Sequence, residues 1–110
     1  AGNLTASSGD SNYAGVVSRE LVRIALLYAA VNGLDVYCCD IKSAYLSAPT
    51  SKKHYIILGP EFGDDEGKYA VITRALYGGR HAGRDYWMFV RENMINLGFE
   101  SCKADPDVWF

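Results

Sequence analysis

The spacing of apolar positions changes several times along the chain, and each change predicts an element. Residues 1–12 are small and polar, ending Ser-Gly-Asp-Ser-Asn, and read as a loop or frayed end. Leu21, Ile24, Ala25, Tyr28 and Val31 then recur at helical spacing. Ser18 is placed to cap that helix, Glu20 suits its first turn, and Asn32-Gly33 is a stop, so residues 19–31 are predicted helical. The run Leu-Asp-Val-Tyr-Cys-Cys over 34–39 reads as a buried strand ended by Asp40. Residues 41–46 form a turn or short helix, broken at Pro49. Residues 54–58 and 69–73 are two further strands, separated over 59–68 by a loop with Pro60 and an acidic trio. A glycine-bearing link over 76–83 leads to a second amphipathic helix over 85–97, with Tyr86, Val90, Met94 and Leu97 on one face, Trp87 at its edge and Gly98 as its stop. Residues 102–110 hold an Asp105-Pro106 turn and the start of an apolar run.

This order is α+β rather than a strict strand–helix alternation. Composition narrows the picture. The chain has 110 residues, 49% of them hydrophobic and 22% charged, which suits one folded domain or part of one and argues against a disordered tail. The longest apolar run, residues 24–31, is too short to span a bilayer, and no membrane partner is expected. A net charge of −2 argues against a free-standing nucleic-acid binder, so such a role needs a local patch or a larger parent. Cys38, Cys39 and Cys102 lack metal-ligand spacing and read as reduced, packed thiols of an intracellular protein.

The most unusual residue is Asp40, a carboxylate sharing a strand face with Val36 and Cys38, where it is costly unless paired. A divalent ion would pair it. It could equally cap the turn that follows. Tyr45 lies five residues on, either as a ring against a bound sugar or as a core aromatic. Leu76-Tyr77-Gly78-Gly79 is either a turn that admits close backbone approach by a substrate or an ordinary connector. Arg80, His81 and Arg84 make the link basic, as a solvated face or a phosphate contact, with His81 exposed and His54 a strand residue. No phosphate-binding glycine loop and no Gly-x-Ser-x-Gly elbow is present.

Four stretches together carry a resemblance: Tyr-Ala-Gly-Val-Val-Ser-Arg-Glu at 13–20, Leu-Asp-Val-Tyr-Cys-Cys-Asp-Ile-Lys-Ser-Ala-Tyr-Leu-Ser-Ala-Pro at 34–49, Arg-Ala-Leu-Tyr-Gly at 74–78, and Leu-Gly-Phe-Glu-Ser-Cys-Lys-Ala-Asp-Pro-Asp-Val-Trp at 97–109. In order and spacing they resemble the reverse transcriptase of copia-type retrotransposons, from Tyr13 to Trp109. The resemblance implies a partial reverse transcriptase domain over 13–110, from the fingers and palm of the polymerase: an α+β fragment with an antiparallel sheet and two packed helices, the strand before Asp40 central and the 19–31 helix on one face of the sheet. It makes Asp40 the first metal-binding carboxylate, with the backbone carbonyl of Ile41 a further ligand. Ala44 and Tyr45 complete the nucleotide-side pattern, Tyr45 as the steric gate against a ribose 2′-hydroxyl. Tyr77 and Gly78 match a motif beside the template base and the incoming nucleotide.

By the same resemblance the parent enzyme uses two magnesium ions for nucleotidyl transfer. Its partners are an RNA or DNA template-primer and deoxynucleoside triphosphates, with the remaining palm, RNase H and integrase parts of a polyprotein. Its location is a cytoplasmic retroelement particle, with the nucleus as a later site. The chain is expected to be truncated at both ends, short of the Tyr-x-Asp-Asp carboxylates, and inactive alone. The competing expectation is a non-catalytic α+β remnant acting as a protein-interaction module. The chain departs from the family pattern at Gly15, where proline is usual, at Gly79-Arg80, in place of Leu-Lys, and at Tyr86, where a tryptophan is usual and Trp87 follows one place later.

Overall fold

The structure is a computed structural model that describes residues 14–110; the loop expected over 1–12 lies outside the described residues. Helix α1 (Arg19–Asn32) starts and stops where its caps dictate. Ser18 has an extended backbone, and its Oγ accepts a hydrogen bond from the Leu21 N–H at 3.3 Å. Gly33 closes the helix with φ 63°, a left-handed conformation that costs glycine no Cβ clash.

Strands β1 (Pro49–Ile57) and β2 (Tyr69–Arg74) pair antiparallel, with His54 opposite Ile72 and Ile57 opposite Tyr69. The connection between them contains a short 3₁₀ helix, Pro60–Asp65, where an irregular loop was expected. β1 begins at Pro49 rather than at His54. A proline, lacking an N–H, is tolerated at the first residue of a strand. Between Pro49 and His54 the register slips, so Thr50 and Ser51 leave the ladder and turn to other partners.

Helix α2 (Ala44–Ser47) and helix α3 (Ala82–Asn96) complete the order. α3 packs on β1 and on α2. The buried centre is three alanines, Ala48, Ala75 and Ala82, with Tyr45, Tyr86 and Phe89 packed around them. The Ala75 N–H donates to the Ala48 carbonyl at 3.0 Å, and Arg74 Nη1 donates to the Ser47 carbonyl at 3.1 Å, which ties β2 to the end of α2. Asp85, buried in the first turn of α3, accepts from the Ser51 N–H at 3.0 Å and the Thr50 hydroxyl at 3.3 Å. The irregular stretch of β1 is thus what reaches the helix. α3 starts earlier than its apolar spacing suggested, and its buried side is Ala82 and Asp85, flanked by half-buried Tyr86 and Phe89, while Leu97 is exposed.

The class is α+β with an antiparallel sheet, but its arrangement differs from expectation in two respects. Residues 34–39 form no strand and are exposed, so no strand before Asp40 lies at the centre of the sheet. A strand needs a ladder partner, and β1 and β2 pair only with each other among the described residues. Cys38 and Cys39 are accordingly exposed free thiols rather than packed ones, and Cys102 is a half-buried free thiol. Helix α1 does not lie across a face of the sheet, and Ala29 is its one buried residue.

Instead α1 is held at its N-terminus. Asp105 Oδ2 accepts from the Ser18 N–H at 3.0 Å, and Asp105 Oδ1 accepts from the Asp107 N–H at 3.0 Å. Around that turn the chain doubles back, with Glu100 and Phe110 exchanging both backbone hydrogen bonds and Ser101 opposite Trp109. The terminal hairpin docks on α3: Trp87 Nε1 donates to Asp107, and the Arg91 guanidinium lies 5.6 Å from the Trp87 ring and 5.5 Å from the Trp109 ring. Gly15 fits beneath this joint, because a Cβ there would overlap the Asp107 carboxylate and come within 2.8 Å of Trp87 Nε1. That gives the departure from proline at this position a local physical reason.

Candidate functional site

Asp40 sits at the end of the irregular 34–40 segment, exposed to solvent. It does not cap the next helix. That place belongs to Ser43, whose backbone is left-handed at φ 54°. Such a conformation costs a non-glycine residue about 1 kcal/mol, and the chain turns there from Asp40 into α2. Ile41 is exposed and Ala44 half-buried on the way.

The turn delivers Tyr45 into an aromatic group. Its ring stacks on Tyr77, centroids 4.6 Å apart and planes 26° apart. On another side it meets Tyr86 at 5.6 Å and 52°. Offset and tilted pairs of this kind suit the ring quadrupoles. Tyr77 belongs to the link between β2 and α3 and is exposed, whereas Tyr86 is fixed on α3 and half-buried. Burial, first, and then the negative charge of Asp40 push the Tyr86 phenol above its ordinary value, with Tyr77 and Tyr45 adding to the effect. The charge of Asp40 therefore reaches Tyr86, although Asp40 itself belongs to no helix and no strand.

Gly78 follows Tyr77 with φ 82° and open space where a side chain would stand. Beside it, His54, Tyr55, Arg74, Tyr77 and Arg80 help to line a cavity of about 280 Å³ between the sheet and the link. The basic cluster expected to be solvated is thus partly inside: His81 is buried, a correction that follows from its place at the start of α3, where its carbonyl accepts from the Asp85 N–H at 2.9 Å. His54 lies on β1 as expected.

The structure brings Tyr45 and Tyr77 into contact, and the charge of Asp40 reaches the neighbouring Tyr86; Gly78 adjoins Tyr77 in the chain, and Ile41 and Ala44 link Asp40 to Tyr45. Among the described residues no group of three or more His, Cys, Asp or Glu side chains is placed to hold a metal ion. A carboxylate and a carbonyl are oxygen donors of the kind magnesium takes, and the remaining positions of its octahedral array fall to water, substrate phosphates or further residues. Sequence reasoning assigned Tyr86 to the core and gave Asp85 no role. The signal for both was the helical repeat of Ala82, Tyr86 and Phe89, which fixes the inward face of α3.

No helix among the described residues is long and apolar enough to cross a membrane. A family model for reverse transcriptase (RNA-dependent DNA polymerase) matches residues 4–109. No curated protein and no solved structure matches the chain.

Proposed function

The chain belongs to the reverse transcriptase (RNA-dependent DNA polymerase) family, and from that premise we propose that it is the fingers–palm portion of an RNA-directed DNA polymerase from a copia-type retrotransposon polyprotein. The observation that carries the reading is the stack of Tyr45 on Tyr77, packed against Tyr86, whose phenol feels the charge of Asp40. A carboxylate and an aromatic group in one neighbourhood suit a nucleotide site, the charge to hold the cation that accompanies a triphosphate and the ring to meet the sugar.

In this reading Asp40 would contribute one carboxylate, and Ile41 its carbonyl, to hold magnesium in the assembled enzyme, and the bound metal would supply charge neutralisation for a triphosphate and a lowered pKa for the primer hydroxyl. Tyr45, with Ala44 before it, excludes a ribose 2′-hydroxyl. Tyr77 and Gly78 lie against the template base and the incoming nucleotide, the left-handed glycine permitting close backbone approach. Template-primer and deoxynucleoside triphosphates are the substrates, other palm, RNase H and integrase parts are the covalent partners, and the cytoplasmic retroelement particle is the place of work, with the nucleus as a later site. One carboxylate does not build a two-metal site, so these residues alone are expected not to polymerise.

Primer extension tests the reading. The intact parent polymerase with magnesium and a primed RNA template is expected to extend, and its Asp40→Asn variant to lose synthesis while keeping its thermal unfolding midpoint. The 110-residue chain alone is expected to extend nothing. Undiminished synthesis by Asp40→Asn would remove the catalytic assignment and favour the other reading, a non-catalytic interaction module, for which the large exposed apolar surface is the supporting observation.

A further inference from the structure

Tyr45 is held from two sides by rings of different standing. Tyr77 is 62% exposed and sits on a link with a left-handed glycine next to it, so it forms the outer, adjustable side of the stack. Tyr86 is on α3, a 15-residue helix pinned to β1 through Asp85 and packed on the Ala48, Ala75 and Ala82 centre. The backbone of α3 also runs up to the far end of the Tyr45 ring: a Cβ added at Gly83 would lie 3.8 Å from the Tyr45 hydroxyl and 3.4 Å from Ala14. Gly83 and Tyr86 are three residues apart, neighbours on one face of the helix. The hydroxyl end and the face of the Tyr45 ring are therefore both referenced to α3, whereas its own helix α2 has only four residues and little stiffness.

We propose that Tyr86 is a positioning residue that sets how far the Tyr45 ring projects, and through it the discrimination between deoxyribose and ribose substrates. The proposal rests on the reading of Tyr45 as the sugar gate. Tyr86 touches no substrate in this arrangement; it acts through the ring it backs. A gate that rejects one hydroxyl must be held within a fraction of an ångström, and a ring on a rigid helix supplies that constraint better than one on a loop.

The test uses the intact parent polymerase with primer-template and magnesium, measuring kcat and KM for single incorporation of a deoxynucleotide and of the matching ribonucleotide. Tyr86→Ala is expected to lower the deoxy-over-ribo ratio of kcat/KM by about fivefold, the size of a lost aromatic contact. The change should come chiefly from better use of the ribonucleotide. Tyr86→Phe, which keeps the ring, is expected to restore the ratio. Tyr86→Leu retains bulk without the ring and gives the same reading should the alanine variant fold poorly. An equal fall in kcat/KM for both sugars, or an unchanged ratio in Tyr86→Ala and Tyr86→Leu, would overturn the proposal. Tyr45→Ala separates the two levels: if it shifts the ratio while the Tyr86 variants do not, only the positioning role fails, and if Tyr45→Ala itself leaves the ratio unchanged, the gate reading fails and the positioning role with it.

Discussion

Single side chains join parts of this molecule that lie far apart in sequence, and Asp105 is the clearest instance. Its two carboxylate oxygens accept from the Ser18 and Asp107 backbone N–H groups, so one residue joins the start of α1 to the terminal hairpin. The hydrogen bond from Ser18 is the largest cause holding the carboxyl below its ordinary value, followed by that from Asp107, with burial opposing both. A folded value below the unfolded one gives stability that is complete above the ordinary aspartate value, near 3.9, and is lost as pH falls through the lower folded value. Urea midpoints measured from pH 7 downward should therefore fall for the parent chain as pH drops below about 4. Asp105→Asn should begin lower at pH 7, and the gap should close in acid. Parallel pH curves for the two proteins would show that Asp105 does not hold this joint.

The elements depend on such joints more than on their own periodicity. Asp85 fastens α3 to the irregular start of β1 through Ser51 and Thr50. Asp85→Ala leaves the Ser51 N–H without its acceptor, and the expected loss is about 1–3 kcal/mol in the chemical unfolding of the intact parent domain. Asp85→Asn retains an accepting oxygen and should lose less. Equal losses would mean that the charge, rather than the accepted hydrogen bonds, is what α3 requires. This scale also shows what the sequence disclosed. The ends of α1 were legible because Ser18 and Gly33 act within one turn of themselves. Most of the two paired strands was legible because β-branched and aromatic residues cluster there, on either side of a connection marked by Pro60 and glycines. Residues 34–39 read as a strand because apolar residues crowd there, but a strand is completed by another strand, and none is supplied by the described residues. The helical start at Ala82 was hidden by Gly83, a poor helix former, whose missing side chain instead leaves room for Tyr45 and Ala14. At the site, Asp40 and Tyr45 stood out as residue types in a pattern; the service of Tyr86 to Tyr45 needed the fold.

As a whole the molecule is long and thin. Its radius of gyration is 18.5 Å and its long axis 60 Å, where a compact chain of this length would have a radius near 13 Å. Among the described residues the buried hydrophobic ones are all alanines, while large apolar side chains such as Tyr37 and Val16 stand more than eight-tenths exposed. Four alanines bury too little area to offset the ordering of this many residues. The isolated chain should therefore bind an apolar dye and self-associate as its concentration rises. Scattering from a monodisperse monomer of about 13 Å radius with no dye binding would contradict that expectation.

The Arg91 joint lends itself to a different use. The chain has two tryptophans, and both indoles face the same guanidinium. Intrinsic fluorescence excited at the red edge of the protein band thus reports on one place, the seat of the terminal hairpin on α3. The spectrum becomes a built-in gauge of whether that seat is closed, readable in any buffer without a label, while the rest of the molecule stays dark.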